Sequence, residues 1–204
     1  MQINYSMQYV DQLIHLFRKV GSGGTVYNFD NDSAVQFSGT TIKYVKSKFP
    51  KVGIVNTLFE LGRVNNIHIV DYNKQIKKAD GVTTNGRYIE NTLNFIDRIE
   101  LLCNSTKSTG FIAMNLPLCY NSGWLAYQPK LFQDIAKQNE YGTSYFRISD
   151  YSGNYQVAID KDIDNSVIKD MMYKYQHTAD VRLGITYTKE NSTGKFVFKE
   201  DEWV

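Results

Sequence analysis

A chain of 204 residues is long enough to bury most of its apolar surface in one core. Its 42% hydrophobic and 22% charged residues are ordinary for a folded protein and argue against disorder. With 23 basic and 21 acidic side chains the net charge is only +2, which excludes a global field for nucleic acid or an anionic membrane. No apolar run reaches the ~20 residues of a membrane span, and no charged-then-apolar leader opens the sequence. A cytoplasmic protein without a membrane partner is expected.

In chain order, Val10, Leu13, Ile14, Phe17 and Val20 recur at helical spacing, with Gln8, Asp11, Gln12, His15 and Arg18 opposite them. Gly21 to Gly24 ends this helix. Residues 25 to 29 and 34 to 46 are β-type, with turns at Asn31-Asp32 and Ser38-Gly39. Pro50 interrupts; Ile67 to Val70 is strand-like, and 57 to 62 fits helix or strand equally. A polar stretch around Lys77 to Gly81 leads into a long helix predicted over 87 to 103, striped by Ile89, Leu93, Ile96 and Ile99 and capped by Thr84 or Asn85.

Beyond it, Phe111 to Met114 reads as a strand, and Pro129 opens a helix through Leu131, Phe132, Ile135 and Ala136. Tyr145 to Ile148 and Tyr155 to Ile159 flank a turn and predict a hairpin. Asp164 caps a helix through Tyr175. Val181 to Thr188 and Lys195 to Lys199 predict a second hairpin across Asn191 to Gly194. The expected fold class is α+β: a single domain over 1–204 with β-hairpins, one long helix and several shorter ones. Residues 1–50 would form an N-terminal arm plus an extended hairpin.

Candidate sites weigh weakly against structural readings. Gly21 to Gly24 follows a helix rather than a strand and lacks Gly-Lys-Ser/Thr, so it caps a helix rather than cradling phosphate. His68 and Asp71 point to opposite faces of a strand. Glu60, Asp71 and Lys74 lack the Asp/Glu-Xaa-Lys spacing of a nuclease. Cys103 and Cys119 form no CxxC pair, and nothing near Cys119 activates it toward His177. Met171-Met172, beside Tyr173 and Tyr175, reads as core. The Asn-Xaa-Ser/Thr triplets at Asn4, Asn31, Asn104 and Asn191 are chance occurrences in an Asn-rich chain. No catalytic, cofactor-binding or metal-ligating residue is assigned, and no cofactor is expected.

Two N-terminal segments carry a resemblance. Asn4-Tyr5-Ser6, Tyr9, Leu13 and Phe17, followed by Val35-Gln36-Phe37-Ser38-Gly39-Thr40-Thr41-Ile42-Lys43, resemble the opening of tailed-phage major capsid proteins of the HK97 type. The match spans Tyr5 to Val55. It implies an N-terminal arm, an extended hairpin and a spine helix at 87 to 103; the chain's shortness would suit a smaller head–tail or tail component. With 15 Tyr and 11 Phe available for contacts, the function expected is a self-assembling structural protein of a phage or virus particle. It would be located in the virion and pair with itself and other virion proteins through Phe37, Tyr44, Phe49 and Trp203. The alternatives are an intracellular enzyme, a nuclease or transferase, and an accessory domain binding nucleic acid through Lys43, Lys46, Lys48 and Lys51.

Overall fold

The first helix, α1 (Met7–Val20), forms where its periodicity predicts. It stops at Gly21, whose φ of +78° lets its amide turn back to the Phe17 carbonyl at 3.0 Å. The computed structural model describes residues 7–30, 66–69, 77–86, 88–89, 92–118, 127–149, 156–158, 181–190 and 195–199.

Among the described residues seven strands make one sheet: β1 (Thr25–Asn28), β2 (Asn66–Ile69), β3 (Ala79–Thr84), β4 (Thr106–Pro117), β5 (Gly142–Ser149), β6 (Gln156–Ala158) and β7 (Arg182–Thr188). Their spatial order is β2-β1-β3-β4-β7-β5-β6. β1 runs parallel to β2 and β3, and β3 parallel to β4. β7 is inserted antiparallel between β4 and β5, and β5 pairs antiparallel with β6. Among the described residues two further helices lie in the connections: α2 (Phe95–Asn104) between β3 and β4, and α3 (Pro129–Gln138) between β4 and β5.

The alternation of side chains along each strand divides the core in two. Val82, Ile112, Met114, Leu116, Leu183, Ile185 and Tyr187 pack with Ile99, Leu102 and Cys103 of α2 and Phe132 and Ile135 of α3. The other face lies under α1, where Gly81 leaves room for Leu16 and Val20: a Cβ at position 81 would stand 2.9 Å from Val20 and 3.2 Å from Leu16. Gln8 and Gln12, predicted on the solvent side of α1, are buried here. Gln12 Nε2 donates to the Met114 carbonyl at 2.9 Å and to that of Ile185, and Gln8 Nε2 donates to the Arg147 carbonyl at 2.7 Å.

This is a mixed, doubly wound α/β architecture and corrects the α+β expectation of hairpins around one long helix. Four strands are parallel, so they need crossovers rather than tight turns. The long helix is also corrected. Helix geometry begins at Phe95, Leu93 is 75% exposed, and Ile89 is buried in a turn held by its amide to the Gly86 carbonyl at 2.8 Å. The polar stretch before it contains β3, a central strand.

The β5–β6 hairpin forms as predicted, but the second hairpin does not. Both edges of β7 are taken by β4 and β5, so residues 195–199 dock instead on the end of α3. There the Asn139 side chain bonds the Val197 amide and carbonyl at 2.7 and 2.8 Å, and Gln138 does the same for Lys199 at 3.0 and 3.4 Å. The two amide side chains stand in for a neighbouring strand. The helix predicted from Asp164 and the hairpin at 34 to 46 lie outside the described residues.

Candidate ligand site at the C-terminal rim of the parallel strands

β1 has β2 on one side and β3 on the other, so the chain's connections leave β1 in opposite directions. In open α/β sheets a crevice forms at such a reversal, outside the carboxyl ends of the strands. Asp30, two residues beyond β1, sits buried at this place. Its Oδ1 accepts from the Thr84 hydroxyl at 2.8 Å and from the Tyr88 amide at 3.1 Å, and its Oδ2 accepts from the Asn85 amide. One carboxylate thus ties the exit of β1 to the exit of β3. The Asn28 side chain supports it, its Oδ1 taking the Asp30 amide at 3.1 Å.

The opposite side of Asn85 is held from β7. Arg182 Nη2 donates to the Asn85 carbonyl at 2.6 Å and to the Asn115 carbonyl at 2.8 Å, while its Nε donates to Asn115 Oδ1. Asn115 Nδ2 in turn donates to Gln8 Oε1 at 3.2 Å. A hydrogen-bonded chain therefore crosses the rim from β1 through β3 and β4 to β7, ending under α1. The Asn85 peptide is fixed at both its N–H and its C=O, which presents its side chain rigidly.

Three buried polar atoms on this same rim find no hydrogen-bond partner among the described residues: Asn28 Nδ2, Asn85 Oδ1 and Ser149 Oγ. A buried donor or acceptor left unmet costs about 1–3 kcal/mol. Their concentration at the carboxyl ends of β1, β3 and β5 marks this rim as the candidate ligand site. Tyr88 flanks it, with its ring 5.2 Å from that of Phe29 and the Arg98 guanidinium 4.7 Å over its face.

None of the rim residues was singled out as a site by sequence. Asp30, Thr84, Asn85 and Arg182 are scattered over 150 positions, and the only local signal would have been a glycine fingerprint after β1, which Phe29-Asp30-Asn31-Asp32-Ser33 lacks. Gly21 and Gly23 sit at the opposite, amino end of β1, consistent with a helix cap. His68 is exposed on β2. Asp71, Glu60, Lys74, Cys119, His177, the lysines at 43, 46, 48 and 51, and the interface candidates Phe37, Tyr44, Phe49 and Trp203 lie outside the described residues. Cys103 is a buried free thiol in the core, and burial pushes its pKa up to about 12, which disfavours the thiolate a nucleophile needs. Among the described residues no His/Cys/Asp/Glu group could hold a metal, and no helix is long and apolar enough to cross a membrane.

No protein-family model and no curated protein sequence matches this chain. Solved structures do match. A protein described as a methyltransferase from Bacillus halodurans aligns with a TM-score of 0.49 and 8% identity, over 88% of this chain and 98% of that one. A Haloferax volcanii protein, likewise described as a methyltransferase and in complex with the Trm112 methyltransferase activator, aligns at 0.48 and 10% over 89% and 88%. The N-methyltransferase NodS of Bradyrhizobium japonicum aligns at 0.46 and 8% over 89% and 94%. The fold itself corrects the capsid resemblance. The parallel sheet and the packing of α1 on it replace the arm, hairpin and spine helix which that resemblance implied.

Proposed function

We propose that the chain is an enzyme of the transferase class that binds a nucleoside-bearing cosubstrate at the β1/β3 crevice, with methyl transfer from S-adenosylmethionine as the reaction. The observation that carries this reading is the strand reversal at β1, with Asp30 and the unmet Asn28 and Asn85 atoms gathered at its carboxyl end.

The chemistry of the crevice narrows the cosubstrate. A dinucleotide or nucleoside phosphate needs backbone amides close to its phosphates, supplied by glycines after the first strand. Here a buried carboxylate stands at the corresponding exit, and the sequence there carries no glycine. A negative charge repels phosphate and favours a cationic ligand. The fit is to a nucleoside bearing a sulfonium and an ammonium group, with Asn28 Nδ2 as donor and Asn85 Oδ1 as acceptor for its polar atoms. Such a cosubstrate, when bound, supplies an electrophilic methyl group. The chain's own contribution is to hold Asn85 in place through Asp30 and Arg182, and to bring the second substrate to the same rim.

Isothermal titration of the purified protein with S-adenosylmethionine, S-adenosylhomocysteine, NAD and ATP tests this. Micromolar binding of the two adenosyl ligands, weakened at least tenfold in Asp30→Asn, with no saturable binding of NAD or ATP, is expected. Binding of NAD or ATP in preference to the adenosyl ligands, or of none of the four at millimolar concentration, overturns it.

A further inference from the structure

Gln8 lies in the first turn of α1 and is fully buried, and the sheet is shaped to admit it. Asn115 on β4, Gly184 on β7 and Arg147 on β5 stand opposite one another in register, so they share the face under α1. Gly184 is the gap in that row. A Cβ there would stand 3.1 Å from Gln8 Nε2, 3.2 Å from Gln8 Cδ and 2.9 Å from the Tyr145 ring, closer than side chains ordinarily pack. The missing side chain on β7 is what lets the Gln8 amide reach Asn115.

The hydrogen bonds made there permit one orientation of every amide. A backbone carbonyl only accepts, so that of Arg147, at 2.7 Å, draws the Gln8 NH₂ group and leaves Gln8 Oε1 for Asn115 Nδ2 at 3.2 Å. Gln12 is oriented the same way. The Met114 and Ile185 carbonyls hold its NH₂ group, and its Oε1 lies 3.5 Å from the same Asn115 nitrogen. A guanidinium only donates, so Arg182 Nε requires the Asn115 side-chain oxygen. The helix and the guanidinium therefore dictate the same orientation of Asn115 from opposite ends. An Asn115 amide turned over would set its NH₂ against Arg182 and its oxygen against two others. The guanidinium would then lose the bond that aims its plane at the Asn85 carbonyl, which it holds at 2.6 Å.

We infer that Gln8 is a positioning residue of the ligand site: it orients Asn115, through Asn115 the Arg182 guanidinium, and through Arg182 the Asn85 peptide. Gln12, at the longer distance, is its weaker second. That Asn85 then meets a cosubstrate rests on the transferase reading; the orientation of Asn85 by Gln8 does not.

Two variants disturb this relay in different ways. Gln8→Met keeps the length of the side chain and removes the acceptor. Gly184→Ala leaves every polar group in place and pushes the Gln8 amide aside. Hydrogen exchange is followed in ligand-free, ¹⁵N-labelled protein at Arg182 Nε, at the Asn85 amide and at the Ile112 amide of the central strand β4, which reports overall stability. Exchange at Arg182 and Asn85 should accelerate about fivefold more than at Ile112, the factor that one neutral hydrogen bond contributes. Should Gln8→Met fail to fold, Gly184→Ala carries the same expectation. Equal acceleration at the three positions, or none, would make Gln8 a merely structural residue and overturn the inference. Isothermal titration with S-adenosylhomocysteine then asks whether the effect runs through Asn85. Gln8→Met should weaken binding about fivefold when Asn85 is present and leave it unchanged in Asn85→Ala, whereas equal losses in both backgrounds overturn the inference. Absence of binding to the wild-type protein counts against the transferase reading alone, and the exchange rates still decide the role of Gln8.

Discussion

Asp30 shows how one residue organises the rim. Its carboxylate meets one hydroxyl and two backbone amides at once, and each oxygen is committed as an acceptor. In Asp30→Asn one of those oxygens becomes an NH₂ group facing a donor, so the Asn85 amide loses its partner. The expected cost is about 1–3 kcal/mol, read from the urea midpoint; a change under about 0.5 kcal/mol would mean that the clamp is not formed. At the far end of β7, burial acts on protonation. Tyr187 Oη donates to the Phe132 carbonyl at 2.6 Å, and Lys189 Nζ donates to the Cys103 and Thr106 carbonyls at 3.0 and 3.2 Å, closing the end of α2. Burial pushes the Cys103 thiol up to about 12 and raises the Tyr141 and Tyr187 phenols, while it pulls the Lys189 ammonium down. A raised acid stabilises the fold below its unfolded pKa and loses that contribution as pH rises. Lys189 has the opposite sign, and three groups outweigh one. Stability should therefore hold to about pH 9, the ordinary value of the thiol, and fall steadily above it. Cys103→Val should delay the onset toward the tyrosine range, and an unchanged onset would remove the thiol from the account.

At the scale of elements, α2 separates what periodicity shows from what it cannot. Ile99 and Leu102 lie in the core, Ile96 is half-buried and Leu93 is exposed. Ile99→Ala should cost about 2–5 kcal/mol and Ile96→Ala less than half of that. Leu93→Ser should stay within about 0.5 kcal/mol. Equal costs at 93 and 99 would restore the longer helix. The stripe of isoleucines was legible because a helix imposes its period on sequence. The start was not, because Asp30, more than 50 residues away, claims the amides of Asn85 and Tyr88 and holds the chain out of helical geometry. β3 was hidden for a related reason. Asp80 and Gly81 look like a turn, yet Asp80 accepts the Thr25 amide at 2.9 Å and the Lys107 ammonium at 2.6 Å, while Gly81 makes room for α1. Both residues serve partners remote in sequence. The same holds for 195–199, whose alternation is strand-like but whose partners are the side chains of Gln138 and Asn139.

For the whole molecule, the placement of α1 decides between a free N-terminal arm and an integral layer of the α/β fold. An arm that docks on neighbours can be removed without unfolding its own chain. Here Tyr9, Val10, Leu13, Ile14, Leu16 and Phe17 are all buried, and α1 lies on β3, β4, β5 and β7. At about 1.5–3 kcal/mol per buried apolar side chain, these six supply about 9–18 kcal/mol, against a net stability of about 5–15 kcal/mol for a typical domain. Removing the helix would also expose Val26 and Ala113 and strip Asn115 of Gln8, loosening the grip of Arg182 on the site. Deletion of residues 1 to 20 should therefore abolish cooperative unfolding and near-ultraviolet circular dichroism, and the truncated chain should bind ANS or precipitate. A truncated protein that still melts in one sharp transition would return α1 to the status of an arm.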